Sequence, residues 1–188
     1  FEPVPFYVLT NCDYIEVTLS NDITRTYYPS VKFPGLAHPP VLVTENGEFW
    51  QHRWTGARIV GYVGEQAVVE KRYSDNPRLS QLLVQADDTA LYNDQVDETR
   101  VVCTFTDEYG NRLYHHLEAV SVSVEGGIEL IGPSLIPSMG GCAAFWVRTC
   151  AGGTEGTARI HIHTPRPEID DQTVTIRLEL SGSAGDGS

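Results

Sequence analysis

Basic residues are scarce in this chain: 13 Lys and Arg stand against 25 Asp and Glu, for a net charge of −12 at pH 7. A surface field of that sign repels phosphate backbones and anionic head groups, so nucleic acid and membrane surfaces are not expected partners. Long apolar runs are also missing. Stretches such as residues 143–147 fall far short of the roughly 20 residues needed to cross a bilayer, and no membrane span is expected. The four cysteines, Cys12, Cys103, Cys142 and Cys150, include no close C-x-x-C pair, which removes the usual zinc signature. No G-x-S-x-G elbow, phosphate loop or G-x-G-x-x-G occurs, so acyl and phosphoryl transfer have no handle and no cofactor is implied.

What the chain does have is alternation. Val101, Cys103 and Phe105 interleave with Val102 and Thr104; Val120, Val122 and Val124 with Ser121 and Ser123; Val174, Ile176, Leu178 and Leu180 with Thr175, Arg177 and Glu179. A period of two puts one face of each strand against a core and leaves the other wet. Many such strands, with turn residues between them and no helical stretch, predict stacked antiparallel sheets. A length of 188 residues exceeds the roughly 100 of one sandwich, so the expected fold is all-β, two tandem immunoglobulin-like antiparallel β-sandwich modules.

The first module is expected over residues 1–88, with strands at 6–9, 14–20, 58–63, 67–73 and 79–86. A hairpin of residues 41–44 and 49–54 is expected around Asn46-Gly47. The polar stretch 89–96 reads as a linker. A second module of about seven strands is expected over 97–181, followed by a glycine-rich tail, 182–188. The chain opens on Phe1 with neither methionine nor a leader, which reads as a piece of something longer. Cys103 has the apolar parity of its strand and is expected in the core. Cys142 and Cys150 would bound one strand at roughly 26 Å, against the roughly 4.4 to 6.8 Å that a disulfide spans, so they are not expected to pair.

Exposed aromatics carry the best hint of binding, because sugar rings present apolar C–H faces that stack on Trp and Tyr. Tyr28, Trp50 and Trp54 are the candidate carbohydrate contacts. The simpler reading is that such rings fill the ends of the first sandwich or its contact with other domains. His161 and His163 share a strand face, but two ligands do not make a metal site and neither His115 nor His116 is brought near by spacing. Asp94 and Asp97, near Asp87 and Asp88, lack the register of a calcium loop. No metal site is assigned. Glu16, Glu125, Glu129 and Glu179 have the solvent-facing parity, so no catalytic residue is assigned.

Several stretches in order are similar to one known family. They are residues 6–17 (FYVLTNCDYIEV), Trp54 through Gly64 with Gly61-Tyr62-Val63, residues 97–102 (DETRVV) with 107–111 (DEYGN), Leu130 to Pro133, and Gly140-Gly141. Together they resemble the C-terminal region of glycoside hydrolase family 2, the β-galactosidase-like enzymes, over about residues 6–180. One departure is Ser20-Asn21-Asp22, where relatives tend to carry Asn-Gly. The resemblance implies β-sandwich modules that follow a catalytic (β/α)8 barrel holding the family's paired glutamates. This chain would then be a non-catalytic accessory region whose partner is the missing catalytic domain of the same polypeptide or an oligomer of the parent, in a bacterial cytoplasm sooner than outside the cell. The alternative is a stand-alone carbohydrate-binding or cell-surface adhesion module. A third reading is an enzyme with a site formed across the two modules.

Overall fold

The computed structural model describes residues 5–19, 22–44 and 55–182. Every regular element among them is a β-strand, and the chain divides into two compact units, Phe1–Pro77 and Arg78–Ser188.

Among the described residues, six strands make the first unit: β1 (Phe6–Val8), β2 (Tyr14–Thr18), β3 (Thr24–Tyr27), β4 (Val41–Val43), β5 (Ala57–Val63) and β6 (Gln66–Tyr73). Antiparallel pairing gives a four-stranded sheet in the order β3-β2-β5-β6, beside a two-stranded ladder of β1 and β4. Alternation on β2 fixes which side is which. Ile15 and Val17 are buried and pack with Val41, Val43, Phe6 and Val8, while Tyr14, Glu16 and Thr18 take the other face. The β5-β6 hairpin closes at Val63 and Gln66 over Gly64-Glu65, as the sequence predicts, with Gly64 at a φ of 58°. Glycine at 61 has a different cause, close packing. A Cβ there would lie 2.6 Å from the Cys12 sulfur and 2.8 Å from a Val69 methyl.

Nine strands among the described residues make the second unit: β7 (Gln81–Ala86), β8 (Ala90–Tyr92), β9 (Glu98–Thr106), β10 (Ala119–Glu125), β11 (Ile128–Ile131), β12 (Leu135–Pro137), β13 (Cys142–Thr149), β14 (Gly156–His163) and β15 (Gln172–Glu179). One sheet runs β12-β10-β14-β15-β8 and the other β11-β13-β9-β7. The apolar parity of both meets in one core: Val101, Cys103, Phe105, Phe145 and Val147 from one sheet, Val120, Ile160, Ile162 and Ile176 from the other. All four cysteines are free thiols, and burial pushes the Cys103 thiol up to about 12, as a core position implies. Cys142 opens β13 and Cys150 follows its end, so the strand's length separates them.

The turn at residues 107–111 shows how a buried carboxylate is kept satisfied. Asp107 is buried, and its side chain accepts hydrogen bonds from the Tyr109 and Asn111 amides at 2.9 and 2.8 Å and from the Asn111 side chain at 3.0 Å.

The module boundaries differ from expectation. Residues 79–86, expected to close the first module, supply β7, which pairs with β9 from Gln81↔Thr106 to Ala86↔Val101 and sends Leu82 into the second core. The expected linker, 89–96, contains β8, whose Leu91 is buried and which pairs in parallel with β15. That parallel ladder also departs from the all-antiparallel expectation. Cross-strand pairing overrode local polarity: three residues joined to an existing edge need only one buried side chain. Strands β3 and β12 were not anticipated either, being short and carrying threonines or proline.

Replacing Gly61 by alanine should destabilise the chain by about 1–3 kcal/mol through overpacking. Cys12→Ala in the same background should recover part of that loss, because the nearest clashing atom is removed. Chemical denaturation of the two single variants and the double variant reads the coupling.

Candidate functional site

The outer face of the β3-β2-β5-β6 sheet collects the most chemistry. Tyr14 lies directly opposite Tyr62 across the β2-β5 ladder, and the two rings stack 4.8 Å apart at 6°. Tyr28 follows β3 on the same side as Tyr14, and those rings stand 5.7 Å apart at 41°. Three adjacent strands therefore lay a row of tyrosines across an open face. The Tyr62 hydroxyl donates to Glu16 Oε2 at 2.8 Å, which holds the carboxylate beside the rings. One step along the strands, Arg58 and Arg72 both donate to Glu70 at 2.6 Å.

Electrostatics follow that geometry. The paired guanidinium hydrogen bonds hold the Glu70 carboxyl down at about 2. Tyr62 is raised, chiefly because its hydroxyl is hydrogen-bonded to the Glu16 carboxylate, and Tyr14 is raised by partial desolvation and then by Glu16, Tyr28, Glu65 and Asp13. The tyrosines stay neutral and the field around them is negative.

The inner face of the same sheet is only partly covered. Beside β1 lies an apolar cleft of about 1220 Å³, lined by Tyr7, Leu9, Gly61, Val69, Lys71 and Tyr73 among others. Val69, Lys71 and Tyr73 have the inward parity of β6, yet every residue of that strand is exposed.

Of the sequence-based candidates, Tyr28 is 67% exposed and joins the tyrosine row, whereas Trp50 and Trp54 lie outside the described residues. Tyr14 and Tyr62 were not singled out as contacts, and Glu16 was read only as a solvent-facing carboxylate. The signal for them was parity: Tyr14 sits out of phase with Ile15 and Val17 and so must face away from the core. His161 and His163 are exposed on β14, but His163 pairs with Asp171 at 2.6 Å and His161 with Thr173 at 3.2 Å. His116 instead packs its ring 4.7 Å from Phe105. Among the described residues no three His, Cys, Asp or Glu side chains gather in a way that would hold a metal ion. The linker aspartates have structural partners: Asp87 binds Arg100, Asp97 caps the Tyr92 amide, and Asp94 accepts from Ser181.

A glycosidase needs one carboxyl group held protonated and one ionised. The carboxyls of Glu70, Asp94 and Glu125 are all lowered, each first by a side-chain hydrogen bond, from Arg58, Ser181 and Arg159 respectively.

No protein-family model matches the sequence. Similarity to individual proteins is clear. The chain is 33% identical over 103 residues to a β-galactosidase of Rhizobium radiobacter, a match covering 55% of this chain and 74% of that sequence. It is 32% identical over 146 residues to the β-galactosidase of Thermoanaerobacterium thermosulfurigenes, covering 73% of this chain and 20% of that one. The chain belongs to the β-galactosidase-like enzymes of glycoside hydrolase family 2. In fold it is similar to a family 2 member from Bacteroides cellulosilyticus, with a TM-score of 0.62 at 16% identity over 92% of this chain and 22% of that one. A β-glycosidase from Bacteroides vulgatus gives 0.61 at 13% identity, over 94% of this chain and 23% of that one. The family 2 chain described here thus spans about a fifth of the length of the Thermoanaerobacterium enzyme.

The Glu70 carboxyl should titrate near pH 2 by carbon-detected NMR, and Arg58→Gln should move it toward its ordinary value of 4.5. A depressed carboxylate adds stability that is fully present above the unfolded value and is lost as pH falls toward 2. Glu70→Gln should therefore flatten part of the acid limb of stability between about pH 4.5 and 2. The effect should be small, because the group is solvent-screened.

Proposed function

We propose that this chain is the non-catalytic accessory region of a β-galactosidase-like glycoside hydrolase, and that its work is to support the parent's catalytic barrel or an oligomer interface. The observation that carries this reading is the half-covered first sheet. A sheet with an apolar inner face has to be covered, and here β1 and β4 cover the side of β2 and β3 while Val69 and Tyr73 stay open to a cleft of about 1220 Å³. The span of the match adds support, since some four-fifths of the Thermoanaerobacterium enzyme lies outside it and offers the surface such a cleft would take. Contacts between domains of one chain bury roughly 600–1,500 Å², enough to orient a neighbour without adding chemistry. The second unit, two sheets closed on one core, fits an immunoglobulin-like spacer in the same scheme.

Two measurements test the proposal. The purified chain should hydrolyse a chromogenic β-galactoside no faster than buffer does, and turnover that tracks the protein would overturn the accessory role. Val69→Asp should leave the melting temperature of the isolated chain nearly unchanged, because the side chain is about half exposed there. In the parent enzyme the same change should cost about 1–3 kcal/mol by burying an unpartnered charge. Equal effects in both would remove the cleft as the contact.

A further inference from the structure

We propose that the outer face of the β11-β13-β9-β7 sheet is a second contact surface, and that its occupant is an uncharged, apolar surface of a domain of the same parent polypeptide lying outside residues 1–188. This rests on the accessory role and adds to it a contact on the second unit, independent of the cleft in the first.

The two sheets of the second unit differ on their outer sides. From Ser121 to Glu125, Arg159 to His163 and Thr173 to Arg177, every outward side chain of β10, β14 and β15 is Ser, Thr, His, Arg or Glu, as a wet face requires. On the other sheet Leu82, Cys103, Phe145 and Val147 go to the core, so the alternate parity turns Leu83, Val102, Ala144 and Trp146 outward, with Ile131 beside them on β11. Register sets Ile131 opposite Trp146 and Ala144 opposite Val102, while Leu83 stands opposite Thr104 in the next row. Leu83, Ile131 and Trp146 are 47, 40 and 44% exposed. The strand at the middle of this face carries the same message in its sequence. Residues 142–147 read CAAFWV with no charged or hydroxyl side chain, the kind of unbroken run that marks a strand covered on both faces.

Charge and area select the occupant. The arginines of the face are engaged already, Arg100 by Asp87 and Arg148 by Glu129, so an acidic partner finds no free cation on it. A second copy of the chain would bring a further net charge of −12 against this one. Four strands about 4.8 Å apart and three side-chain rows about 6.7 Å apart make a face of roughly 400 Å². Two copies packed face to face would bury about 800 Å² in all, short of the roughly 1,200 Å² that a specific contact between separate molecules needs. The same area falls within the roughly 600–1,500 Å² that joins domains of one chain, where the tether supplies the effective concentration. Some four-fifths of the Thermoanaerobacterium enzyme lies outside the match, which is ample chain for such a domain.

Hydroxyl-radical footprinting read by mass spectrometry, on the 188-residue chain and on the parent enzyme, tests this. Trp146 should be oxidised readily in the chain and about fivefold more slowly in the parent, since the middle of a contact excludes water. His161 and His163, exposed on the polar sheet, should react alike in both. Protection in the parent should not change on dilution, and the isolated chain should sediment as a monomer. Ala144→Glu should leave the melting temperature of the isolated chain nearly unchanged, because that position is exposed there, and should restore Trp146 oxidation in the parent. Thr175→Glu, opposite Arg159 on the polar sheet, should change neither. Equal oxidation of Trp146 in chain and parent overturns the proposal, as does protection that survives Ala144→Glu. Protection lost on dilution, or seen in a dimer of the isolated chain, overturns it by assigning the face to a second copy. Turnover in the hydrolysis assay strikes the accessory role and leaves this protection standing, whereas an unprotected Trp146 leaves the accessory role resting on the cleft.

Discussion

Covering the apolar face of a β-sheet is the constraint from which the rest of this chain follows. Most strands here carry side chains of one parity that water rejects, and each such face has to meet another layer. In the second unit two sheets close on each other around Phe105, Phe145 and a set of β-branched residues, and the requirement is met within the chain. In the first unit the two-stranded ladder of β1 and β4 is narrower than the four-stranded sheet it faces. Val69 and Tyr73 have inward parity, and among the described residues no second layer of strands covers them. The same requirement that closes one unit is met only in part by the described strands of the other.

The polar faces show complementary economy. Arginines on outer strand positions are taken up by carboxylates close by, Arg58 and Arg72 by Glu70, Arg100 by Asp87, Arg148 by Glu129 and Arg159 by Glu125. Exposed pairs of this kind contribute little stability each, but they neutralise the few cations of an acidic chain. Beside the tyrosine row stand Asp13, which accepts from the Gly64 amide, Glu16, which accepts from the Tyr62 hydroxyl, and Glu65. Carboxylates arranged this way are acceptors and charge-setters.

Strand identity was legible in the sequence because burial has a period of two: the alternation at Val101–Phe105, Val120–Val124 and Val174–Leu178 falls inside β9, β10 and β15. Boundaries between units were not legible, because they depend on which strand pairs with which. Residues 81–86 look like any amphipathic strand, and only the register with β9 assigns them to the second unit. Three residues of β8 carry too little periodicity to stand out from a polar stretch. The candidate surface divides in the same way. Tyr28 could be named as an exposed aromatic near a turn, but its neighbours could not, since Tyr14 and Tyr62 are 48 positions apart and become partners only through the β2-β5 ladder.

That dependence on register explains why a row of tyrosines can be absent from every local motif and still be well formed. Tyr14 owes its direction to Ile15, whose burial rotates the strand so that position 14 must look outward. Tyr62 owes its direction to Gly61 in the same manner, because that backbone lies against Cys12 and Val69 with no room for a side chain and position 62 is turned to the opposite face. The core therefore aims the rings from beneath, and the strand spacing of about 4.8 Å sets their separation. Packing below and stacking above are two readings of one register, so slipping that register by a single residue would bury the tyrosines and expose Ile15 and Val17 together.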